Sequence, residues 1–251
     1  MLYILGSIGA GKTTLTQMLA KDMGVNAYYE DVNNGLVKDM LEEFYSAGIE
    51  SRKRVSAMLQ VAFLTVRFQQ ALKAVRERNA ILDSNLTSDF IMCTHLYERG
   101  EMDYASYKAY MALNQIMQGQ LDNEPYNGKP DVIVYLDIDP EHELDEIQKR
   151  GRDMEDVRKD PKLVDYYHSV NRAYKNWAAG GYVQAPLVTI QRDKYDFVNS
   201  VEDRNAVLNK IEQALVDYGK LTQDEFEKIK ADRAEKFGDP IDADTQELVT
   251  E

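Results

Sequence analysis

The residues with the plainest chemistry stand within the first fourteen positions. Residues 6–13 read GSIGAGKT and fit the spacing G-x-x-x-x-G-K-[ST] in full. Gly6, Gly9 and Gly11, with Ser7, Ile8 and Ala10 between them, let the backbone curl so that its N–H groups point inward at phosphate oxygens. Lys12 adds a full positive charge at the outer phosphates, the Thr13 hydroxyl can ligate magnesium, and Thr14 continues a helix whose N-terminal dipole favours an anion. The pattern lies after a short apolar run and before an amphipathic one, where its mechanism requires it. It predicts nucleotide binding, and it does not separate a hydrolase, a switch protein and a small-molecule kinase.

Acids and arginines further on carry that distinction. A second apolar run ends in Glu30 and Asp31, and a third ends in Asp83. Aspartate after a buried strand commonly starts a turn or caps the next helix, which is the plain reading for Asp31 and Asn33. Glutamate caps poorly, so Glu30 reads as a base that takes a proton from an attacking hydroxyl, with Asp83 on the magnesium side. Near residue 149 the chain reads IQKRGRDME, which clusters Lys149, Arg150 and Arg152 at the end of a helix, with Gly151 between the arginines. Such residues often only complement a helix dipole; beside a phosphate loop they read as a basic lid that neutralises a transferred phosphoryl group.

These positions need a scaffold that brings strand ends together. Apolar runs rich in β-branched or aromatic residues recur at 2–6, 27–31, 80–84, 132–137 and 186–191, separated by long stretches of helical periodicity. Alternation at that distance predicts an α/β fold: a five-stranded parallel sheet with helices on both faces and its ligand site at the carboxyl ends of the strands. The longest helical stretch runs from Ser51 to about Arg78, with Val55, Leu59, Ala62, Phe63 and Val66 on one face. Gln60 and Arg67, seven residues apart, share a second stripe that periodicity alone would assign to solvent. Helices are also expected over 162–179 and 201–218.

The 251 residues carry 30 Lys and Arg against 43 Asp and Glu, a net charge of −13, which argues against sequence-independent binding to nucleic acid. One cysteine, Cys93, excludes an internal disulfide and fits a reducing compartment. No apolar run reaches 18 residues and no basic segment precedes one at the N-terminus, so a cytoplasmic protein without membrane contact is expected. Residues 1–217 read as one domain. Residues 218–251 read as an acidic extension: a short surface helix begun by the capping box of Thr222 and Glu225, then a mobile tail with five acids and no base over 239–251.

Taken together, the phosphate loop, YYEDVNN, LEEFY followed by MLQVAFLTVRF, ILDSNLTSD, IQKRGRDME, DYYHSVNRAYKNW and DKYDFVNSVEDR resemble the deoxynucleoside kinase family, in particular its bacterial deoxyadenosine and deoxyguanosine kinases. The resemblance implies a P-loop kinase fold with an arginine-bearing lid, and ATP with magnesium as phosphoryl donor. It implies that Glu30 takes the proton from a nucleoside 5′-hydroxyl, that Tyr45 and Glu155 hold the sugar 3′-hydroxyl, and that Gln60, Arg67 and Asp89 read the base. It implies that the loop carrying Asp193, Tyr195, Asp196 and Phe197 embraces the adenine of ATP. Phe63 and Phe90 are pocket walls or core on this reading. Family members are commonly dimers, and some bacterial relatives pair unlike subunits.

Two positions depart from the family pattern. An arginine usually follows the acid of the third strand, and Ser84 stands there; the first lid arginine is replaced by Glu146. Both changes remove positive charge where negative charge develops. Purine deoxynucleoside phosphorylation is the leading expectation. A monophosphate kinase of the thymidylate type shares the loop and sheet, and a weakly catalytic, nucleotide-binding partner of an active homologue fits Ser84 and Glu146.

Overall fold

The computed structural model describes residues 1–77, 79–124, 128–181 and 185–237. Its strands are β1 (Leu2–Gly6), β2 (Asn26–Tyr28), β3 (Ala80–Asp83), β4 (Val132–Asp137) and β5 (Leu187–Gln191). They form one parallel sheet in the order β2-β3-β1-β4-β5. β1 takes the centre because both of its faces are apolar: Leu2 and Ile4 pack on one side, Tyr3 and Leu5 on the other, all buried. Gly6 pairs with Leu136 at the carboxyl end of the sheet, and the chain there enters the phosphate loop.

Two helical layers bury these faces. On the Leu2 side lie α1 (Lys12–Met23) and α8 (Val201–Asp217), which contribute Leu15, Met18, Leu19, Val207, Leu208 and Ile211 to one core. On the Tyr3 side, α3 (Ile49–Ala74), α4 (Leu86–Glu98) and α7 (Lys162–Ala179) pack Leu59, Leu64, Ile91, Tyr167 and Val170 into a second core. α2 (Gly35–Ser46) and α5 (Tyr104–Leu121) pack against α3 outside that layer. α6 (Pro140–Arg150) leads from β4 toward the basic segment, capped by the Asp139 side chain at the N–H of Glu141 (2.9 Å) and ended by Gly151 in the left-handed region at φ 71°.

The second strand is shorter than its apolar run. Among the described residues β2 pairs only with β3 and that register ends at Tyr28, so Glu30 and Asp31 lie in the following loop. The carbonyl of Tyr29 accepts instead from the Gln70 side chain (2.7 Å). Asp31 does start a turn, accepting from the N–H of Asn33 (3.2 Å), while Asn34 caps α2. α3 begins two residues before the expected Ser51 and ends at Ala74; Arg78 lies outside the described residues.

The final helix, α9 (Gln223–Lys236), has the expected capping box and is more than a surface helix. Phe226 and Arg233 are buried; Arg233 donates to Asp22 of α1 (2.7 Å) and to Asn209 of α8 (2.7 Å) and pairs with Glu212. The tail expected over 239–251 lies outside the described residues. Among the described residues no helix is long and apolar enough to cross a membrane.

Candidate active site

The phosphate loop lies on α6. A Cβ on Gly9, whose φ is +83°, would come within 2.8 Å of Ile147 Cγ1, so only glycine allows this approach. On the other side Gly11 faces Phe197, which is fully buried beneath the guanidinium of Arg192 at 4.6 Å from ring centroid to Cζ. Lys12 folds back, its Nζ donating to the Ser7 carbonyl (2.8 Å). Burial pushes its ammonium pKa down, partly offset by the charges of Asp83 and Glu30.

Thr13 and Asp83 meet as their residue types imply, Thr13 Oγ1 donating to Asp83 Oδ2 at 2.5 Å. Burial raises the Asp83 carboxyl to about 6 against the pull of Lys12 and the Thr13 hydrogen bond. Its buried Oδ1 has no partner among the described residues. Two oxygen donors with spare acceptor capacity, beside a phosphate loop, fit a magnesium ion.

A cavity opens beside the loop. Glu30, Lys12, Gln60, Arg67, Tyr45 and Glu155 line it, together with Arg150, Arg152, Phe63 and Ser84. Gln60 and Arg67 therefore do not face solvent: α2, α4 and α5 pack around α3 and turn that polar stripe inward. Gln60 Oε1 has no partner among the described residues, leaving an acceptor for a ligand. The Arg67 guanidinium lies over the Phe63 ring, 4.7 Å from its centroid, and bridges Glu30 and Asp89. Burial would raise the Glu30 carboxyl, but Arg67, Lys12 and Arg152 outweigh it and hold the group below its ordinary value. Asp89 is wholly buried and reaches the cavity only through Arg67.

Glu155 collects the lid: Arg150 donates to it at 2.5 Å and Arg152 at 3.5 Å. Tyr45 packs edge-on against Tyr166, their centroids 6.3 Å apart. Burial, with Tyr167 and Glu155 nearby, raises its phenol well above the ordinary value, so its hydroxyl remains a donor throughout the working pH range. Glu146 is paired with Lys149 (2.7 Å), which restores local neutrality where the lid lacks an arginine.

The deoxynucleoside kinase family model matches residues 2–217. The chain belongs to the deoxynucleoside kinase family. The kinase is 37% identical over 224 residues to a deoxyguanosine kinase of Lactobacillus johnsonii, covering 89% of this chain and 96% of that one. It is 30% identical over 223 residues to a deoxyadenosine kinase of Lactobacillus acidophilus, covering 88% and 99%. A solved deoxyadenosine kinase from M. mycoides with bound dATP shares the fold at a TM-score of 0.66, with 23% identity over 84% of this chain and 98% of that one.

The kinase brings Glu30, Glu155, Arg150 and Arg152 to the lining of one cavity, and other expected residues lie outside that lining. Phe90 lines a separate cavity of about 450 Å³ between α4, α5 and α7. Asp193 lies across from α6, accepting from the N–H of Asp139 (2.9 Å) and facing His142 Nδ1 at 2.7 Å. Asp196 accepts from the N–H of Asn199 (3.1 Å), a turn-capping contact, and Tyr195 offers its carbonyl to Arg192 (2.7 Å). Ser84 adopts φ +68°, a left-handed backbone that is costly for a residue with a Cβ.

Two residues of this kinase escaped the sequence reading. Arg192 is buried beside Gly11, and its signal was a basic residue directly after the fifth strand. Glu143 is buried under the phosphate loop and accepts from Ser7 Oγ at 2.6 Å. Its signal was a carboxylate four residues before Ile147, on the inward stripe of α6.

Proposed function

We propose that this kinase transfers the γ-phosphoryl group of ATP to the 5′-hydroxyl of a purine deoxynucleoside, deoxyadenosine or deoxyguanosine. The observation that carries this reading is the convergence of Glu30, the phosphate-loop Lys12 and both lid arginines on the cavity that Gln60, Arg67 and Tyr45 line.

Gln60 and Arg67 present donors and an acceptor to a base edge, with Phe63 as an apolar wall. Tyr45 and Glu155 position the sugar through its 3′-hydroxyl. Glu30 accepts the 5′-hydroxyl proton as that oxygen bonds to the γ-phosphorus and the bond to the β-phosphate oxygen breaks. Lys12, Arg150 and Arg152 neutralise the charge that develops. Much of the catalysis is positioning, since the transfer needs little covalent chemistry from the protein. Thr13 and Asp83 would hold magnesium, which supplies charge neutralisation at the phosphates when bound. Asp193, Tyr195 and Asp196, on the loop beside Gly11, line the adenine end, with Phe197 buried beneath Arg192 as its support.

The family resemblance supports a dimer, either of two copies or with a homologous kinase subunit, and the lone buried Cys93 supports work in the reducing cytoplasm. Phosphorylation of deoxyadenosine, deoxyguanosine, deoxycytidine and thymidine by radiolabelled ATP tests the reading, with the monophosphates assayed alongside. Purine deoxynucleosides are expected to be labelled. Labelling of monophosphates alone would assign the cavity to the thymidylate type, and activity appearing only with an added homologue would make this chain a partner subunit.

A further inference from the structure

Glu143 presents a problem that the phosphoryl transfer leaves unexplained. It stands on α6 and is 1% exposed, and among the described residues its Oε1 has no partner. An apolar side chain on this inward stripe would avoid the desolvation that a carboxylate suffers there. Its other oxygen is heavily used: Oε2 accepts from Ser7 Oγ at 2.6 Å and from the Asn171 side-chain amide. That amide also donates to the carbonyl of Ile138 (3.1 Å), the residue directly after β4. One carboxylate oxygen thus gathers the phosphate loop, α6, α7 and the end of the central sheet.

Ser7 makes this arrangement matter for the donor. Its hydroxyl goes to Glu143, while its carbonyl holds Lys12 Nζ at 2.8 Å. A shift of Ser7 therefore moves the loop backbone and the ammonium together. The same helix touches the loop again one turn later, where Ile147 packs under Gly9, and then ends in Arg150 and the lid. Seven residues of α6 separate Glu143 from Arg150, almost two turns, so a rigid rod of about 10 Å fixes the lid's origin to the loop.

We propose that Glu143 is a positioning residue for the donor triphosphate, holding Ser7 and α6 in the one arrangement that sets Lys12 and the lid arginines around the phosphates. The inference rests on ATP occupying the phosphate loop.

The charge of Glu143 bears on the same site. Burial pushes its carboxyl up to about 7, opposed by hydrogen bonds from Ser7 and Asn171 and by the charges of Lys12 on the loop side and Lys175 on α7. Lys175 is itself shared with Asp137 (3.5 Å), and the phenols of Tyr135 on β4 and Tyr174 on α7 also face this region. Protonated, the group leaves the field of Lys12 to the phosphates; ionised, it opposes a polyanion bound above it.

The experiment compares wild type with Glu143→Gln, Glu143→Ala and Ser7→Ala. Binding of ATP to each protein is measured by calorimetry, and kcat with both KM values is measured between pH 5.5 and 8.5. The glutamine carbonyl can keep both hydrogen bonds while the charge is lost. Glu143→Ala is expected to weaken ATP binding and raise KM for ATP about tenfold, with KM for the nucleoside within about twofold. Glu143→Gln is expected to restore most of that affinity. It should also remove the rise in KM for ATP expected of wild type as pH climbs past 7, and comparing the two proteins cancels titration of ATP itself. Ser7→Ala is expected to weaken ATP binding in the same direction without removing the pH dependence. Unchanged ATP affinity in a folded Glu143→Ala protein, or equal rises in both KM values, would overturn the proposal, as would a Glu143→Gln profile parallel to wild type. Absence of ATP binding by wild type would instead defeat the reading of the loop on which it rests.

Discussion

Arg67 Nη2 donates to Glu30 Oε1, so the proposed catalytic base is held by a side chain from the helix proposed to read the nucleobase. The other terminal nitrogen of the same guanidinium pairs with Asp89. The family resemblance implies an arginine after the third strand, and Ser84 is there instead. Arg67 supplies a cation to Glu30 from α3.

Glu30 is held below the ordinary glutamate value, because Arg67, Lys12 and Arg152 outweigh the effect of burial. A base must be ionised to work, so a lowered value keeps it active toward lower pH. The acid limb of kcat is expected below pH 4.5, and Arg67→Gln is expected to move it upward, since burial then acts with less opposition. Glu30→Gln should lower kcat by roughly 10²- to 10⁴-fold with a smaller effect on nucleoside KM. Steady-state kinetics across pH check both; near-normal turnover by Glu30→Gln would move proton acceptance to another group.

Removing Arg67 also leaves a carboxylate wholly buried and unpaired at Asp89. Arg67→Gln is expected to cost about 3–5 kcal/mol in chemical denaturation. Adding Asp89→Asn should return much of that stability without returning activity, because Glu30 still lacks Arg67 as its hydrogen-bond partner. Equal stability of the single and double variants would show that an unpaired Asp89 is not the source of the loss.

Glu143 predicts a pH dependence of stability. Its carboxyl titrates near 4.5 when unfolded and about 7 when folded, so between those values the folded state binds the extra proton. This group's contribution is complete below pH 4.5 and is lost as pH rises through about 7. Wild type should therefore lose Tm relative to Glu143→Gln as pH rises across that window. Parallel Tm curves for the two proteins would remove Glu143 as the source.

α9 lies beyond residue 217, where the family model ends, yet it is joined to the nucleotide-binding half through Arg233, Asp22 and Glu212. Arg233→Met removes the cation shared by Asp22 and Glu212, whose carboxyl burial and Asp22 raise to about 8, and is expected to destabilise by about 3–5 kcal/mol. The loss should appear as a lower denaturation midpoint, and α1, which carries Asp22 and begins at Lys12, should show faster amide exchange at its C-terminal end. A protein as stable as wild type would mean that the packing of Phe226 and the contact of Lys236 with Asp22 hold the helix without Arg233.

The sequence by itself determined the elements whose signals are local. The phosphate loop needs only glycines, a lysine and a threonine at fixed spacing between a strand and a helix, and α7 covers the expected residues 162–179 because its apolar stripe is continuous. The capping box of Thr222 and Glu225 was likewise legible, since both partners lie within one turn. Tertiary structure alone decided which polar residues face inward. Gln60 and Arg67 look solvated by period and are buried because α2, α4 and α5 pack around α3. The end of β2 at Tyr28 depended on where pairing with β3 stops, and Arg233 became an anchor because Asp22, 211 positions away, lies against it. Glu143 is the sharpest instance: its meaning comes from Ser7 and Asn171, which no sequence window joins to it. A side chain's propensity is a local property, but its charge partners are chosen by packing, and at this site the partners decide the chemistry.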